Sequence, residues 1–431
     1  MTRHSAKVLA LVLVTMAASI CWQELRAKTS RSYGISPDYR QLELFGDAFG
    51  LILSEYVEVP DQKKLIRAAL NGMLASLDPH SSVMDGEELK EFKAEASGRF
   101  GGVGLEVTME DGVIKVIAPL DDSPATRAGI LANDLITQLD GEEVQGMSLI
   151  EATDKMRGQV NTPVTLTILR PGKEEPFEVR LTREFIRVKS VKASAEGYIG
   201  YLRISTFTDK TREGVDEAMS QLAKELGPNM KGWIIDLRNN PGGLLDQAIA
   251  VSNIFLRTGE IVSLRGRDAS KIRHFYAKPG RFKSDKAVVV LINGGSASAA
   301  EIVAGALQDH KRATVIGTRS FGKGSIQSIV PLIHRGAVVL TTARYYTPSG
   351  RPIQAKGITP DMVVEQVLPA NLKPNELNID GEASLRGHLK SDNGEEQTGS
   401  SSYVPQEKAS DRQLHAAIGL LNGKQVGPPA R

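Results

Sequence analysis

The apolar positions of this chain change texture twice. From Tyr39 to Tyr56, in YRQLELFGDAFGLILSEY, Leu42, Phe45, Phe49 and Ile52 recur at helical spacing. A second helix is expected from Gln62 to Ser76, closed by the turn signal Asp78-Pro79. Residues 80 to 96 carry acids and read as a short helical segment. Short strands follow: Leu105 to Thr108, Val113 to Ile117, Leu135 to Leu139, Val164 to Leu169 and Phe177 to Leu181. A glycine-rich loop, Gly98 to Gly104, precedes the first of them. Between them lie a short helix opened by Pro124 and ended by Gly129, and a longer one from Ser148 to Met156, where Ser148 and Glu151 suit a capping box. From Gly197 strands alternate with helices. Strand Ile199–Ile204, helix Thr211–Leu226, strand Trp233–Leu237 and helix Leu244–Phe255 make the first round. Strand Ala287–Ile292, helix Ala299–Asp309 and a strand at Val315-Ile316 make the second. This alternation implies a mostly parallel α/β sheet. Residues 261 to 283, polar and basic, read as an excursion between the two rounds. Strands are expected at Ile326–Pro331, Ala337–Ala343 and Gly357–Val364. Beyond about Pro369 periodicity fades. Residues 391 to 410 are rich in Ser, Glu, Gln and Gly and are expected to be disordered, with a short helix from Asp411 to Leu421.

Composition narrows the picture. A chain of 431 residues is long enough for two or three domains. A net charge of +2 makes no case for nucleic acid as a partner. Cys21 is the single cysteine, so no intramolecular disulfide forms, and no Cys/His spacing suggests zinc. No cofactor or metal is expected. At the N-terminus Arg3, His4 and Lys7 precede an apolar run from Val8 to Cys21, shorter than the ~20 residues that span a bilayer. It reads as a cleavable secretory signal ending near Ala27. An uncleaved anchor is the alternative, giving membrane association through the N-terminus. A lipoprotein modified at Cys21 is disfavoured by the bulk of Ile20. In each case the rest of the chain is expected outside the cytoplasm.

The chemistry concentrates in Lys286 to Val330. Ser298 stands at a strand-to-helix turn, where a hydroxyl can be presented beyond the carboxyl end of a sheet. Lys323 lies between Gly322 and Gly324. A serine nucleophile needs a base, and lysine serves only when neutral. At a reference pKa of about 10.4, roughly one lysine in a thousand is neutral near pH 7.5, so burial or a nearby cation must depress the value. A neutral amide would orient the amine without stabilising the ammonium. Gln327 is the predicted orienter, with Ser328 and Gln354 as weaker choices. The N–H of Ala299, next to the nucleophile, and that of Gly243, in the turn after Leu237, are the candidate donors to an oxyanion. A structural reading competes: Ser298-Ala299-Ala300-Glu301 also fits a capping box. Ser296 is a rival nucleophile on the same turn. His310 lies about 18 Å along the helix and is too far to serve Ser298.

Two resemblances bear on these alternatives. Residues 99 to 183 resemble a PDZ domain, on the glycine-rich loop before Leu105 and on Ser123 to Gly141. Such a domain adds a peptide to its sheet edge and holds the carboxylate in the loop, here Gly102, Val103, Gly104 and Leu105. Residues 287 to 330 resemble the C-terminal processing peptidases, also called tail-specific proteases. The matching motifs are Gly-Ser-Ala-Ser-Ala at Gly295 to Ala299 and Phe-Gly-Lys-Gly at Phe321 to Gly324. Leu77 to His80, Tyr345 to Ile353 and Gly357 to Asp361 are similar too. The resemblance implies Ser298 as nucleophile, Lys323 as base, Gln327 beyond it, and Gly243 and Ala299 as oxyanion donors. It implies an α/β multidomain chain with a crotonase-like protease core. The expected plan is a signal or anchor (1–27), an N-terminal helical region (28–98), a PDZ domain (99–185), a serine peptidase core (186–368) and a partly disordered tail (369–431). The implied activity is endopeptidase cleavage of periplasmic or envelope proteins with apolar C-termini. An activating adaptor and a homo-oligomer are implied as partners. The rival functions are a non-catalytic PDZ scaffold of the envelope with a degenerate hydrolase core, and an acyl-CoA enzyme of the crotonase type.

Overall fold

The computed structural model describes residues 39–423 apart from residues 111, 121, 148, 174, 188, 269, 281–283, 333–335, 369–380, 393 and 406. The expected signal at 1–27 and the cap at Ser148 lie outside the described residues. Two compact units divide near Ala68. The first holds helix α1 (Tyr39–Glu55) and the start of α2 (Gln62–Ala75). On α1 the rings of Phe45 and Phe49 stack with centroids 6.4 Å apart, as their spacing of four dictates.

The second unit begins with β1 (Ser82–Met84) and α3 (Gly86–Ala96). A two-stranded ribbon follows, β2 (Arg99–Gly102) paired antiparallel with β9 (Glu184–Arg187). Between its strands lies a small domain: β3 (Leu105–Glu110), β4 (Val113–Pro119), α4 (Pro124–Arg127), β5 (Leu135–Leu139), β6 (Glu142–Glu143), α5 (Leu149–Met156), β7 (Pro163–Leu169) and β8 (Phe177–Thr182). Its sheet runs β3-β4-β5-β7-β8, with β6 beside β5. Alternate residues Val164, Leu166 and Ile168 of β7 are fully buried in its core with Ile114, Val116 and Ile136, the period of two expected for a half-buried strand.

Residues 98 to 104 are not one glycine-rich loop. Arg99–Gly102 is strand, and the loop shrinks to Val103-Gly104. The backbone of Gly101 runs so close to Gly158 that a Cβ there would meet the Gly158 carbonyl at 2.1 Å. The glycines admit that close passage rather than open a long loop.

The core sheet is ordered β10-β11-β12-β15-β16-β19. Its strands are β10 (Val191–Glu196), β11 (Ile199–Ile204), β12 (Gly232–Asp236), β15 (Ala287–Ile292), β16 (Ala313–Gly317) and β19 (Met362–Val363). All neighbours from β11 to β19 are parallel, and β10 is the antiparallel edge. The apolar run of β15 splits between two cores. Val288, Val290 and Ile292 face α6 (Thr211–Leu226), α7 (Leu245–Phe255) and α8 (Ala299–Asp309). Val289 and Leu291 face Leu414 and Ala417 of α9 (Arg412–Leu421). A strand buried on both faces needs two covers, and the C-terminal helix is the second.

Two expectations are corrected here. Residues 261 to 283 are not a polar excursion. They contain most of β13 (Glu260–Gly266) and all of β14 (Arg273–Tyr276), a hairpin with Ile261, Val262 and Leu264 buried. The hairpin joins β1, β17 (Ser325–Pro331) and β18 (Ala337–Tyr346) in a second sheet. The described part of 391–410, expected to be disordered, is also ordered, as are residues 381–390 before it. Together they lie along the core through main-chain hydrogen bonds: Glu382 N–H to Phe321, Gln397 N–H to Ala355, and Gly294 N–H to Ser401. Polar side chains leave such a segment without periodicity, because its main chain holds it. The closing strand expected over 357–364 is reduced to the two residues of β19.

Candidate active site

β12 and β15 are parallel neighbours, so the turns that leave their carboxyl ends lie side by side. Side chains knit the two turns together. The Asn239 N–H donates to Asn293 Oδ1 at 2.8 Å, and the Ala297 N–H donates to the Asn240 carbonyl at 2.9 Å. A methyl group on Gly242 would stand 2.8 Å from Ser298 Cβ and 3.1 Å from the Ala299 nitrogen. The turn after β12 therefore lies directly against Ser298.

Ser298 has φ +53° and ψ −113°, outside the regions that side chains favour. Strain of this kind, about 1–3 kcal/mol, persists only where surrounding structure enforces it. Ser298 is half-buried at the N-terminus of α8. The capping-box arrangement is present, but its hydrogen bonds are distributed unusually. Glu301 Oε2 accepts the Ser298 N–H at 2.7 Å, while the Glu301 N–H reaches the Ser298 carbonyl at 2.9 Å. The Ser298 hydroxyl makes no cap hydrogen bond; the Tyr345 phenol faces it, pushed up to about 12 by burial with Ser298 opposing that shift. Ser296 is differently placed. It is fully buried, donates to the Leu237 carbonyl at 2.8 Å and accepts from the Asn293 N–H at 3.0 Å. Its hydroxyl is spent on the turn.

Glu301 joins the serine turn to the lysine loop. Its other oxygen, Oε1, accepts from Ser320 Oγ at 2.5 Å and from the Gly322 N–H at 2.7 Å. The Phe321 N–H also donates to the Ser296 carbonyl at 2.9 Å. One fully buried carboxylate thus holds main-chain atoms of both Ser298 and Gly322, the residue before Lys323. Burial pushes this carboxyl up to about 7, against the donors that pull it down.

Burial lowers the Lys323 ammonium below its ordinary value, and Glu382, Glu301 and Asp78 oppose that shift. Asp78 belongs to a buried turn. It accepts from the Ser81 N–H at 2.9 Å, the Ser81 hydroxyl at 2.8 Å and Thr341 Oγ1 at 3.1 Å. Gln327 lies one turn of strand beyond Lys323, on β17. Its amide donates to Ser325 Oγ and Thr341 Oγ1, each at 3.1 Å, and among the described residues it makes no hydrogen bond to Lys323. Neither the Gly243 N–H nor the Ala299 N–H has a hydrogen-bond acceptor among the described residues. Two free donors therefore flank the serine. In the small domain, the Val103 carbonyl accepts from Ala125 N–H and the Gly104 carbonyl from Leu120 N–H, each at 2.9 Å. These bonds fix the short loop that precedes Leu105.

Several residues escape the sequence reading. Glu301 was visible only as a cap. Tyr345, Asp78, Glu382 and the pair Arg238–Asp411 were not singled out as site residues. Arg238 is buried beside the Asn239–Gly243 turn and forms charged pairs with Asp236 at 2.6 Å and Asp411 at 2.8 Å. These partners hold the Asp236 and Asp411 carboxyls below the usual range, against the opposing effect of burial. The signal for Arg238 was its place between strand and glycine turn.

With this geometry in place, the chain can be set beside known proteins. Residues 198–364 match the model of peptidase family S41, residues 115–170 a PDZ domain, and residues 14–88 the activating protease CtpB N-terminal domain. The carboxy-terminal-processing protease of Bartonella bacilliformis is 52% identical over 391 residues, covering 90% of this chain and 89% of that one. A "Probable CtpA-like serine protease" of Staphylococcus aureus is 36% identical over 331 residues, covering 76% of this chain and 66% of its own. Among solved structures, the photosystem II D1 C-terminal processing protease is 31% identical, covers 76% of this chain and 94% of its own, and superimposes with a TM-score of 0.47.

Proposed function

The chain belongs to peptidase family S41 and is a serine peptidase of the carboxy-terminal-processing kind, and from that premise we propose that Ser298 is its nucleophile and Lys323 its general base. The observation that carries this reading is the Glu301 carboxylate, which ties the main chain of Ser298 to that of Gly322, next to Lys323. Neutral Lys323 takes the proton of Ser298 as Oγ attacks the substrate carbonyl. The free N–H groups of Gly243 and Ala299 receive the oxyanion. The Lys323 ammonium then protonates the departing amine, and the neutral amine activates the water that hydrolyses the acyl-enzyme. Gln327 is our candidate to orient Lys323: its NH₂ group donates to Ser325 and Thr341, which leaves the amide oxygen outside those bonds to accept from the amine.

The PDZ domain is a peptide-binding module, and its Gly102–Leu105 segment is our candidate for the carboxylate end of an apolar substrate tail. We place the protein in the periplasm or cell envelope, on the basic and apolar segment from Arg3 to Cys21. An activating adaptor and a homo-oligomer remain part of this proposal. The test is cleavage of an unfolded reporter with an apolar C-terminus, offered as free acid and as amide. Faster cleavage of the free acid is expected. Equal rates would remove C-terminal recognition from the account.

Two further outcomes follow. Lys323 titrates below the ordinary lysine value, so kcat/KM should rise with pH along a limb whose midpoint lies below about 10.5; a flat profile from pH 6 to 10 would contradict a lysine base. Gly243→Ala should lower kcat by about 100-fold. Gly243 has φ +129°, and a Cβ there would meet the Phe207 carbonyl at 2.2 Å, so the turn must shift and carry the donor with it. Steady-state kinetics on the folded variant checks this.

A further inference from the structure

We propose that Glu382, delivered by the C-terminal segment, is a positioning residue for Lys323, so that residues beyond the matched peptidase region are a working part of the site. The proposal rests on Lys323 being the base.

Glu382 has no exposed surface. Its N–H donates to the Phe321 carbonyl at 3.0 Å. Its Oε1 accepts from Gln354 Nε2 at 2.9 Å, and Gln354 Oε1 in turn accepts the Gly324 N–H at 3.1 Å. Glu382 therefore grips the lysine loop on both sides, directly at Phe321 and through Gln354 at Gly324. His80 Nε2 meets both carboxylate oxygens, at 3.0 and 2.9 Å. A buried carboxylate fixed by Gln354 and His80, on a main chain tied to Phe321, cannot swing away from the loop it holds. It also stands close enough to Lys323 to stabilise the ammonium. The same segment reaches the other half of the site, where Asp411 anchors Arg238 beside the Asn239–Gly243 turn.

This arrangement gives Glu382 two separable effects. The hydrogen bonds fix where Lys323 stands. The negative charge makes the ammonium harder to deprotonate, offsetting part of the effect of burial. Other charges bear on the same titration. Glu301 on α8 and Asp78 before β1 also face Lys323, while His80 and His388 face Glu382. Tyr345 on β18 faces Ser298.

The test is the pH profile of kcat/KM for the full-length wild type, Glu382→Gln and Glu382→Asp, each checked by thermal melting. Glu382→Gln keeps the size and an oxygen for Gln354 but loses the charge, so the acid limb should move to lower pH by about one unit. Glu382→Asp keeps the charge but withdraws it by one methylene. Its limb should stay near that of the wild type while kcat falls about tenfold, because the loop is no longer held at its length. An unmoved limb in Glu382→Gln overturns the proposal. So does full kcat in Glu382→Asp, which also serves if the glutamine variant does not fold. Lys323→Ala, assayed alongside, separates the two readings. Wild-type turnover in Lys323→Ala would remove the base itself, whereas its loss together with an unmoved Glu382→Gln limb would remove Glu382 alone.

Discussion

Replacing Ser298 with alanine should lower kcat by about 10⁴-fold or more while leaving the protein folded. The size follows from the chemistry. Without Oγ no acyl-enzyme forms, and only binding and oxyanion stabilisation remain to help a water attack. Retention of fold follows from the hydrogen bonds of the turn. Ser298 contributes its N–H to Glu301 and its carbonyl to the first turn of α8, both main-chain groups that alanine keeps. A cap made by the serine hydroxyl would predict the opposite, a loss of stability with activity reduced only as far as unfolding reduces it. A melting temperature within a few degrees of wild type, with turnover lost, is the expected pair of results. Loss of both together would return Ser298 to a structural role.

The second large effect is expected at Glu301. Glu301→Ala would leave the N–H groups of Ser298 and Gly322 and the hydroxyl of Ser320 without their buried acceptor. Each unsatisfied buried group costs about 1–3 kcal/mol, so unfolding of much of the population is the expected outcome. Glu301→Gln is gentler in volume but presents an NH₂ group where donors converge. Turnover should fall by about 100-fold or more, as both members of the dyad shift. The glutamine variant also isolates a pH effect. The Glu301 carboxyl is raised to about 7 in the fold, so the folded protein holds a proton that the unfolded chain releases from about 4.5 upward. Its contribution to stability is complete below about 4.5 and is lost as pH rises through 7. The stability of Glu301→Gln relative to wild type should therefore change across pH 4.5 to 7, by up to about 3 kcal/mol. Denaturant titrations at several pH values measure that difference. A constant difference would show that Glu301 does not titrate in this window.

How much of this was legible in the sequence depends on where the stabilising information lies. The run Ala287–Ile292 announced a buried strand, and α6 and α8 fall on the bounds their periodicity gave. The second cover, α9, was visible as a short helix. That Leu414 and Ala417 would close over Val289 and Leu291 was not, because nothing local to residues 411–421 names its partner. The segment from 391 to 410 was misread for a related reason. Its contacts run through main-chain atoms, which any residue supplies and no side-chain pattern records. The hairpin of β13 and β14 was obscured by the basic residues Arg265, Arg267 and Lys271 near its turn, although Ile261, Val262 and Leu264 form a short, mostly apolar run that is buried. At the site, Ser298 and Lys323 stood out by residue type and flanking glycines. Glu301 was found in its correct geometry and given half its task. Its Oε2 partner lies three residues away, within reach of a local motif, whereas its Oε1 partners, Ser320 and Gly322, come from the next strand's loop.

The central claim is that Lys323 activates Ser298 for covalent chemistry. It is tested most directly by exposing the full-length protein to a fluorophosphonate and locating the adduct by peptide mass spectrometry. The account predicts one adduct, on Ser298, formed faster as pH rises and strongly slowed in Lys323→Ala. Labelling of Ser296 or of another residue, or labelling of Ser298 at the same rate without Lys323, would contradict it.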